Sequence, residues 1–187
     1  SLNTAFEAVI EGCAAPRETE PGTWITPAMV AAYTELHRAG HAHSLEVWLG
    51  GELAGGIYGL AIGGVFFGES MFSRRTDASK IALVALCRRI ASRGYGLLDC
   101  QVENDHLLSM GAERSTREAF EAELTRLLDT PVDSALWRAA RLDADLIILG
   151  SHGFGAVFKM LLGSVSSAVL RKSGRPVLIV PADRSEE

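Results

Sequence analysis

The segment Leu97-Leu98-Asp99-Cys100-Gln101 reads as a strand over 96–101. Side chains alternate along a strand, so Leu97, Asp99 and Gln101 share one face while Leu98 and Cys100 share the other. A carboxylate beside an amide orients and polarises that amide, or holds a water or an amine by hydrogen bonds, which suits acyl transfer. A structural pair at a strand end is the competing reading, and the residues alone leave both open. Cys100 is a poor nucleophile candidate, because no histidine is local to it and alternation turns it to the opposite face. Glu69 sits in the apolar, aromatic run Val65-Phe66-Phe67-Gly68-Glu69-Ser70-Met71-Phe72-Ser73. A carboxylate in that setting needs a partner or a purpose, either a functional role or a hydrogen bond to a neighbouring turn. His37, His41 and His43 crowd together, but they straddle a predicted helix end and a strand. They read as surface or satisfied histidines, and no metal site is expected.

The elements that would position these residues follow from periodicity and punctuation. A helix is expected over 4–12, then a loop from Pro16 to Gly22 that leads to Trp24. Thr26 before Pro27 is a helix start, and Met29, Val30, Tyr33, Leu36 and His37 form its stripe, ending near Gly40. Strands over 43–49, 53–62 and 64–72, split by Gly50-Gly51 and Gly63-Gly64, make an antiparallel meander. Asp77 is placed to cap a helix with apolar positions Ile81, Ala82, Val84, Ala85 and Ile90, stopped by Gly94. After the strand at 96–101, helical stretches are expected near 104–110 and 115–128.

Past Pro131 the texture changes. A helix over 132–141 precedes the apolar run Leu146-Ile147-Ile148-Leu149, a Gly-rich turn, a helix over 157–172 and a second apolar run over 177–180. Unbroken apolar strands flanking a helix indicate a parallel βαβ unit. The seam is placed between about 124 and 132, giving two parts, 1–128 and 129–187.

Composition bounds the function. With 187 residues, 48% hydrophobic and 22% charged, the chain is in the globular class. No stretch approaches the ~18 apolar residues of a membrane span, and no signal peptide is evident. Three scattered cysteines without a C-x-x-C pair suggest a reducing cytoplasm rather than a disulfide framework. The net charge of −5 falls in residues 1–128 while 129–187 balance, so any nucleic-acid site must be local. The best basic cluster is Arg74, Arg75, Lys80, Arg88, Arg89 and Arg93, for which a solvated helix face is the bland alternative.

Several blocks fall in order along residues 2–124: TAFEAVIEGCA, GTWIT, AYTELHRAGHAHSLEVW, LAGGIYG, FFGESMFSRRTDASKIAL and LLDCQVENDHLLSMGA. Together they resemble leucyl/phenylalanyl-tRNA–protein transferases. The resemblance implies an α/β, acetyltransferase-like (GNAT-like) mixed sheet with helices. It also implies an aminoacyltransferase moving Leu or Phe from Leu-tRNA or Phe-tRNA onto proteins with N-terminal Arg or Lys, marking them for N-degron degradation. An aminoacyl ester is already activated, so no cofactor is required, but the acceptor amine must lose a proton from a pKa near ~8. By resemblance Asp99 and Gln101 are catalytic. Ile57, Phe66, Met71, Leu86 and Leu98 would line a pocket for Leu or Phe. Glu69 and Asp99 would favour a cationic acceptor, Asn104 would bind substrate, and Trp24 would stack on the terminal adenosine of the tRNA. A loop tryptophan packed on the domain is the alternative for Trp24. Strict alternation puts Phe66 and Glu69 on opposite faces, and a bulge at Gly68 would reconcile them. A rival reading, an acetyl-CoA-dependent acetyltransferase, expects a Gly-x-Gly cradle where this chain has Ser73-Arg74-Arg75-Thr76-Asp77-Ala78. The family carries a further N-terminal domain, so this piece is expected to be N-terminally truncated.

The stretch ADLIILGSHGFGAVFKMLLGSVSSAVLRKSGRPVLIVPA resembles the C-terminal strand-helix-strand of universal stress proteins, a parallel fold of the adenine nucleotide alpha hydrolase type. It carries Gly150, Gly153, Gly163 and Ser164, which wrap the phosphates in ATP-binding members; glycines let backbone amides approach an anion. The family's first half is missing, which leaves ATP binding, a homodimer surface or a purely structural role as the readings. A transferase fused to a stress-protein fragment is the main expectation. The alternatives are a nucleotide-binding or dimerising stress module with an inactive transferase relic, and a fusion with neither activity.

Overall fold

Glycine pairs punctuate the first part of the chain into strands, and the helices between them bury the strands' two faces. The computed structural model describes residues 1–16, 23–139, 147–151 and 177–181. The chain divides into two units, Ser1–Trp48 with Glu52–Arg141, and Leu49–Gly51 with Leu142–Glu187. The first holds helices α1 (Phe6–Ala14) and α2 (Pro27–Arg38), strands β1 (Ala42–Leu49), β2 (Glu52–Ile62) and β3 (Val65–Ser73), helix α3 (Ala78–Ala91) and strand β4 (Leu97–Asp99). Helices α4 (Asp105–Ser109) and α5 (Arg117–Leu128) and a 3-10 turn at Ser134–Trp137 complete it. The sheet order is β1-β2-β3-β4, with β2 and β3 antiparallel and β4 parallel to β3. Parallel pairing needs a crossover, and α3 supplies it.

Local signals set the helix starts. Thr26 Oγ1 accepts from the Met29 amide at 3.3 Å, with Pro27 in the first turn. Gly40 follows α2 at φ 83°, where a side chain would be strained. Two expectations for α3 need correction. Asp77 holds the N-cap position at φ 63° but its side chain caps nothing; it pairs with Lys80 at 2.9 Å. Ser73 Oγ instead accepts from the Ser79 amide at 3.1 Å. The buried face is Ala78, Ala82, Leu83, Leu86 and Ile90, while Ile81 and Val84 are exposed. An apolar run offers more than one i, i+4 stripe, and the sheet selects among them.

The sheet is sandwiched. A Cβ on Gly55 would meet Ala78 of α3, and one on the adjacent Gly56 would meet Val9 of α1, so alternate β2 positions face the two helices. On the α1 side, Phe6, Val9, Ile10 and Cys13 pack with Tyr58 and Phe72, and Met29, Val30 and Tyr33 of α2 close over them.

The helix expected over 132–141 is instead the short turn at Ser134–Trp137, opened by Asp133 Oδ1 accepting from the Ala135 amide at 2.9 Å. Long-range contacts hold it. Leu136 and Trp137 are buried, Arg89 donates to the Leu136 carbonyl at 3.1 Å, and Arg93 pairs with Asp133 at 3.0 Å. The Trp137 ring stacks on His43 at 4.2 Å, and its Nε1 donates to the Tyr95 hydroxyl at 2.8 Å.

His43 is therefore a core residue. Asn3 Nδ2 donates to its Nδ1 at 3.0 Å, which leaves the ring proton on Nε2, buried without a hydrogen-bond partner among the described residues. Burial, reinforced by the neighbouring His37, lowers its pKa from 6.5 to about 3. The unfolded chain takes up this proton below pH 6.5 and the native chain does not, so stability falls as pH drops from 6.5 towards 3. The slope is about 1.4 kcal/mol per pH unit. Denaturation of the parent and of His43→Phe at pH 7 and pH 5 measures it: the parent is expected to lose about 2 kcal/mol more than the variant.

In the second unit, β5 (Ile147–Ser151) and β6 (Val177–Pro181) form a parallel pair with Ile147 opposite Val177 and Gly150 opposite Val180. These are the two expected apolar strands. The helix expected over 157–172 lies outside the described residues.

Candidate active site

The centre of the site is where β3 and β4 run side by side, Phe66 opposite Leu98 and Phe67 opposite Asp99. The strand expected over 96–101 ends at Asp99, which corrects the alternation argument. Gln101 takes a left-handed conformation at φ 61°, and its backbone amide donates to Asp99 Oδ1 at 2.8 Å. Asp99 and Gln101 are thus joined through a turn rather than aligned on a strand face. A non-glycine residue rarely adopts that conformation, and such outliers gather at functional sites.

The expected bulge in β3 is present, one residue beyond Gly68. Tyr58 pairs with Ser70 and Gly59 with Gly68, leaving Glu69 as the extra residue. A bulge re-aims the side chain it carries. Glu69 is half-buried and faces Tyr33 of α2, whose hydroxyl pKa is pushed up to about 12 by burial and by the hydrogen bond and charge of Glu69. Beyond Tyr33 the buried Tyr58 hydroxyl is also pushed up, mainly by burial.

A cleft of about 1300 Å³ opens beside the bulge and is lined by Trp24, Ile57, Glu69, Met71, Leu98, Gln101 and Asn104 among others. A second cleft of about 1200 Å³ shares Leu98, Gln101 and Asn104 with it and adds Asp99. Ile57 and Met71 are cross-strand partners and present an apolar wall. Trp24 is 51% exposed, with its ring available to a ligand. Asn104 also supports the local backbone, because its side chain accepts from the Leu107 amide at 2.9 Å and caps α4. Phe66 and Leu86 line neither cleft; both are 1% exposed, and Phe66 stacks on Trp137. Gly150 lies in β5, while Gly153, Gly163 and Ser164 fall outside the described residues.

Cys100 is held as a thiol, its pKa raised by burial and then by Cys87 and Asp99, which disfavours the nucleophilic thiolate. Among the described residues no group of three His, Cys, Asp or Glu could hold a metal, and no helix is long and apolar enough to cross a membrane.

Residues 1–125 match the family described as leucyl/phenylalanyl-tRNA protein transferase, and residues 79–181 match the universal stress protein family. The chain belongs to the leucyl/phenylalanyl-tRNA protein transferase family, and its C-terminal part to the universal stress protein family. The transferase of Nitrosomonas eutropha is 57% identical over 135 residues, covering 72% of this chain and 58% of that protein. That of Chromohalobacter salexigens is 55% identical over 156 residues, covering 83% and 61%. The chain thus spans about three-fifths of the length of these relatives. A solved structure of AAC(6')-Iy with a bisubstrate analogue is similar at TM-score 0.42 and 17% identity, covering 63% of this chain and 92% of that one. The two family matches overlap over 79–125, and the stress-protein match continues alone to 181, although the similarity to the Chromohalobacter salexigens transferase, over 156 residues, is longer than the transferase-family match.

Two residues near the candidate site were not singled out for it in the sequence: Tyr33, which faces Glu69, and Arg74, which lines the first cleft. Tyr33 was legible only as part of the α2 stripe, since its partner Glu69 is distant in the chain. Arg74 was visible in the basic cluster, but its place in the cleft with Trp24 depends on the end of β3.

Proposed function

We propose that this chain moves Leu or Phe from aminoacyl-tRNA onto the α-amine of proteins beginning with Arg or Lys, marking them for degradation in the cytoplasm. The observation that carries this reading is the match to the transferase family over residues 1–125 at up to 57% identity. The apolar wall of Ile57, Met71 and Leu98 suits an aliphatic or aromatic side chain and rejects polar ones. The exposed Trp24 ring suits stacking on the terminal adenosine. Glu69, which faces Tyr33, and Asp99 contribute negative charge where a cationic N-terminal residue would sit.

In the reaction the neutral α-amine attacks the ester carbonyl, an amide forms and the ester bond breaks. The departing ribose oxygen takes up a proton and the amine loses one. Asp99 and the Gln101 amide are the groups we assign to hold the amine and pass on its proton. The test is transfer of labelled phenylalanine from Phe-tRNA to a peptide beginning with Arg, against the same peptide acetylated at its N-terminus. Transfer confined to the free amine is the expected result, and none from the folded chain overturns the reading.

A second reading concerns the C-terminal part. The universal stress protein match and the parallel pairing of β5 with β6 support a module that binds ATP or a second copy of the chain, with the transferase part inactive.

A further inference from the structure

The basic cluster singled out in the sequence is mostly committed to internal contacts. Arg75 pairs with Glu52, Lys80 with Asp77 and Arg93 with Asp133, and Arg89 donates to the Leu136 carbonyl. Arg74 differs from these. It has no carboxylate partner among the described residues, is exposed, and lines the cleft that also holds Trp24, Met71 and Asn104.

Its position is nonetheless fixed. The Arg74 backbone amide donates to the Ala54 carbonyl at 2.7 Å as the chain leaves β3, its guanidinium lies 5.1 Å over the Phe72 ring, and Nη1 reaches towards the Leu53 carbonyl at 3.4 Å. Stacking on a ring face holds the plane of a guanidinium while leaving its edge donors free, and a guanidinium fork matches two oxygens of one phosphate. An unpaired cation and an exposed tryptophan lining one cleft are the groups that bind a single-stranded nucleotide, the ring taking the base and the cation the backbone.

We propose that Arg74 binds a phosphodiester of the 3′-terminal nucleotides of the aminoacyl-tRNA while the terminal base stacks on Trp24. This rests on the transferase reading. It gives the chain a local anion site despite its net charge of −5, and it makes Arg74 a substrate-binding residue that recognises the donor and not the acceptor.

Binding of the trinucleotide CCA, with adenosine as the phosphate-free comparison, tests it by calorimetry at several salt concentrations. Arg74→Gln is expected to weaken CCA binding about tenfold at low salt and leave adenosine binding unchanged. It should also reduce the slope of log affinity against log salt by about 0.7, the value for one lost single-strand phosphate contact. Arg74→Lys should recover the salt slope. Equal losses for CCA and adenosine, an unchanged slope, or a parent that binds CCA no better than adenosine each overturn the proposal. A parent that binds CCA through Arg74 yet transfers no phenylalanine upholds this site and defeats the catalytic reading.

Discussion

Asp99→Asn is expected to lower the rate of phenylalanine transfer to an Arg peptide by about 10²-fold or more while leaving stability within about 0.5 kcal/mol of the parent. Asp99 Oδ1 accepts from the Gln101 amide at 2.8 Å, and an asparagine oxygen can accept the same bond. The substitution therefore keeps the turn and removes only the charge and the basic oxygen. Single-turnover transfer together with a denaturation curve separates the two effects. An unchanged rate would show that the carboxylate does not handle the proton, and lost stability would show that its role is to hold the turn. The companion deletion at Gln101 is cleaner as alanine than as glycine. At φ 61° the parent glutamine already carries a left-handed cost of about 1 kcal/mol, which alanine keeps and glycine would relieve.

A large effect on folding is expected at Gly59. It stands opposite Gly68 where β2 and β3 shift register, and an added Cβ would lie 2.1 Å from the Phe67 carbonyl oxygen and 2.6 Å from the Phe66 ring. A backbone oxygen in a sheet cannot step aside as a flexible side chain can. Gly59→Ala should cost about 3 kcal/mol, the upper part of the overpacking range. Because the clash is at the bulge, it should also displace Glu69 and release Tyr33, lowering the tyrosine pKa from about 12. Gly68→Ala is the control, since its added Cβ would approach only the Asp99 carbonyl, at 3.3 Å. Urea denaturation of both variants, with ultraviolet titration of tyrosine, reads both consequences. Equal stability in the two would refute the argument.

Much of the fold was legible because the signals act over a few residues. Thr26-Pro27 opens α2 through a bond reaching three residues ahead, Gly40 follows its last turn, and Gly50-Gly51 and Gly63-Gly64 separate the strands. The bulge was also foreseeable to within one residue, since Glu69 is the extra residue of β3, next to Gly68. The misreadings share a cause. The apolar stripe of α3 depended on which side the sheet lies, the turn at Ser134–Trp137 on partners such as Arg89 and His43, and the cap of α3 on Ser73 rather than Asp77.

The sequence by itself determined the family, the element types of residues 23–128 and the residue types of the candidate site, because motif blocks and periodicities are properties of neighbouring residues. Only the tertiary structure decided how those residues meet. Asp99 and Gln101 are coupled by a left-handed turn where alternation had aligned them on a strand. Glu69 faces a tyrosine thirty-six residues earlier, Phe66 lies in the core against Trp137, and Arg74 and Trp24 line one cleft. Each depends on packing between segments distant in the chain, where burial and the demand for hydrogen-bond partners outweigh local preference.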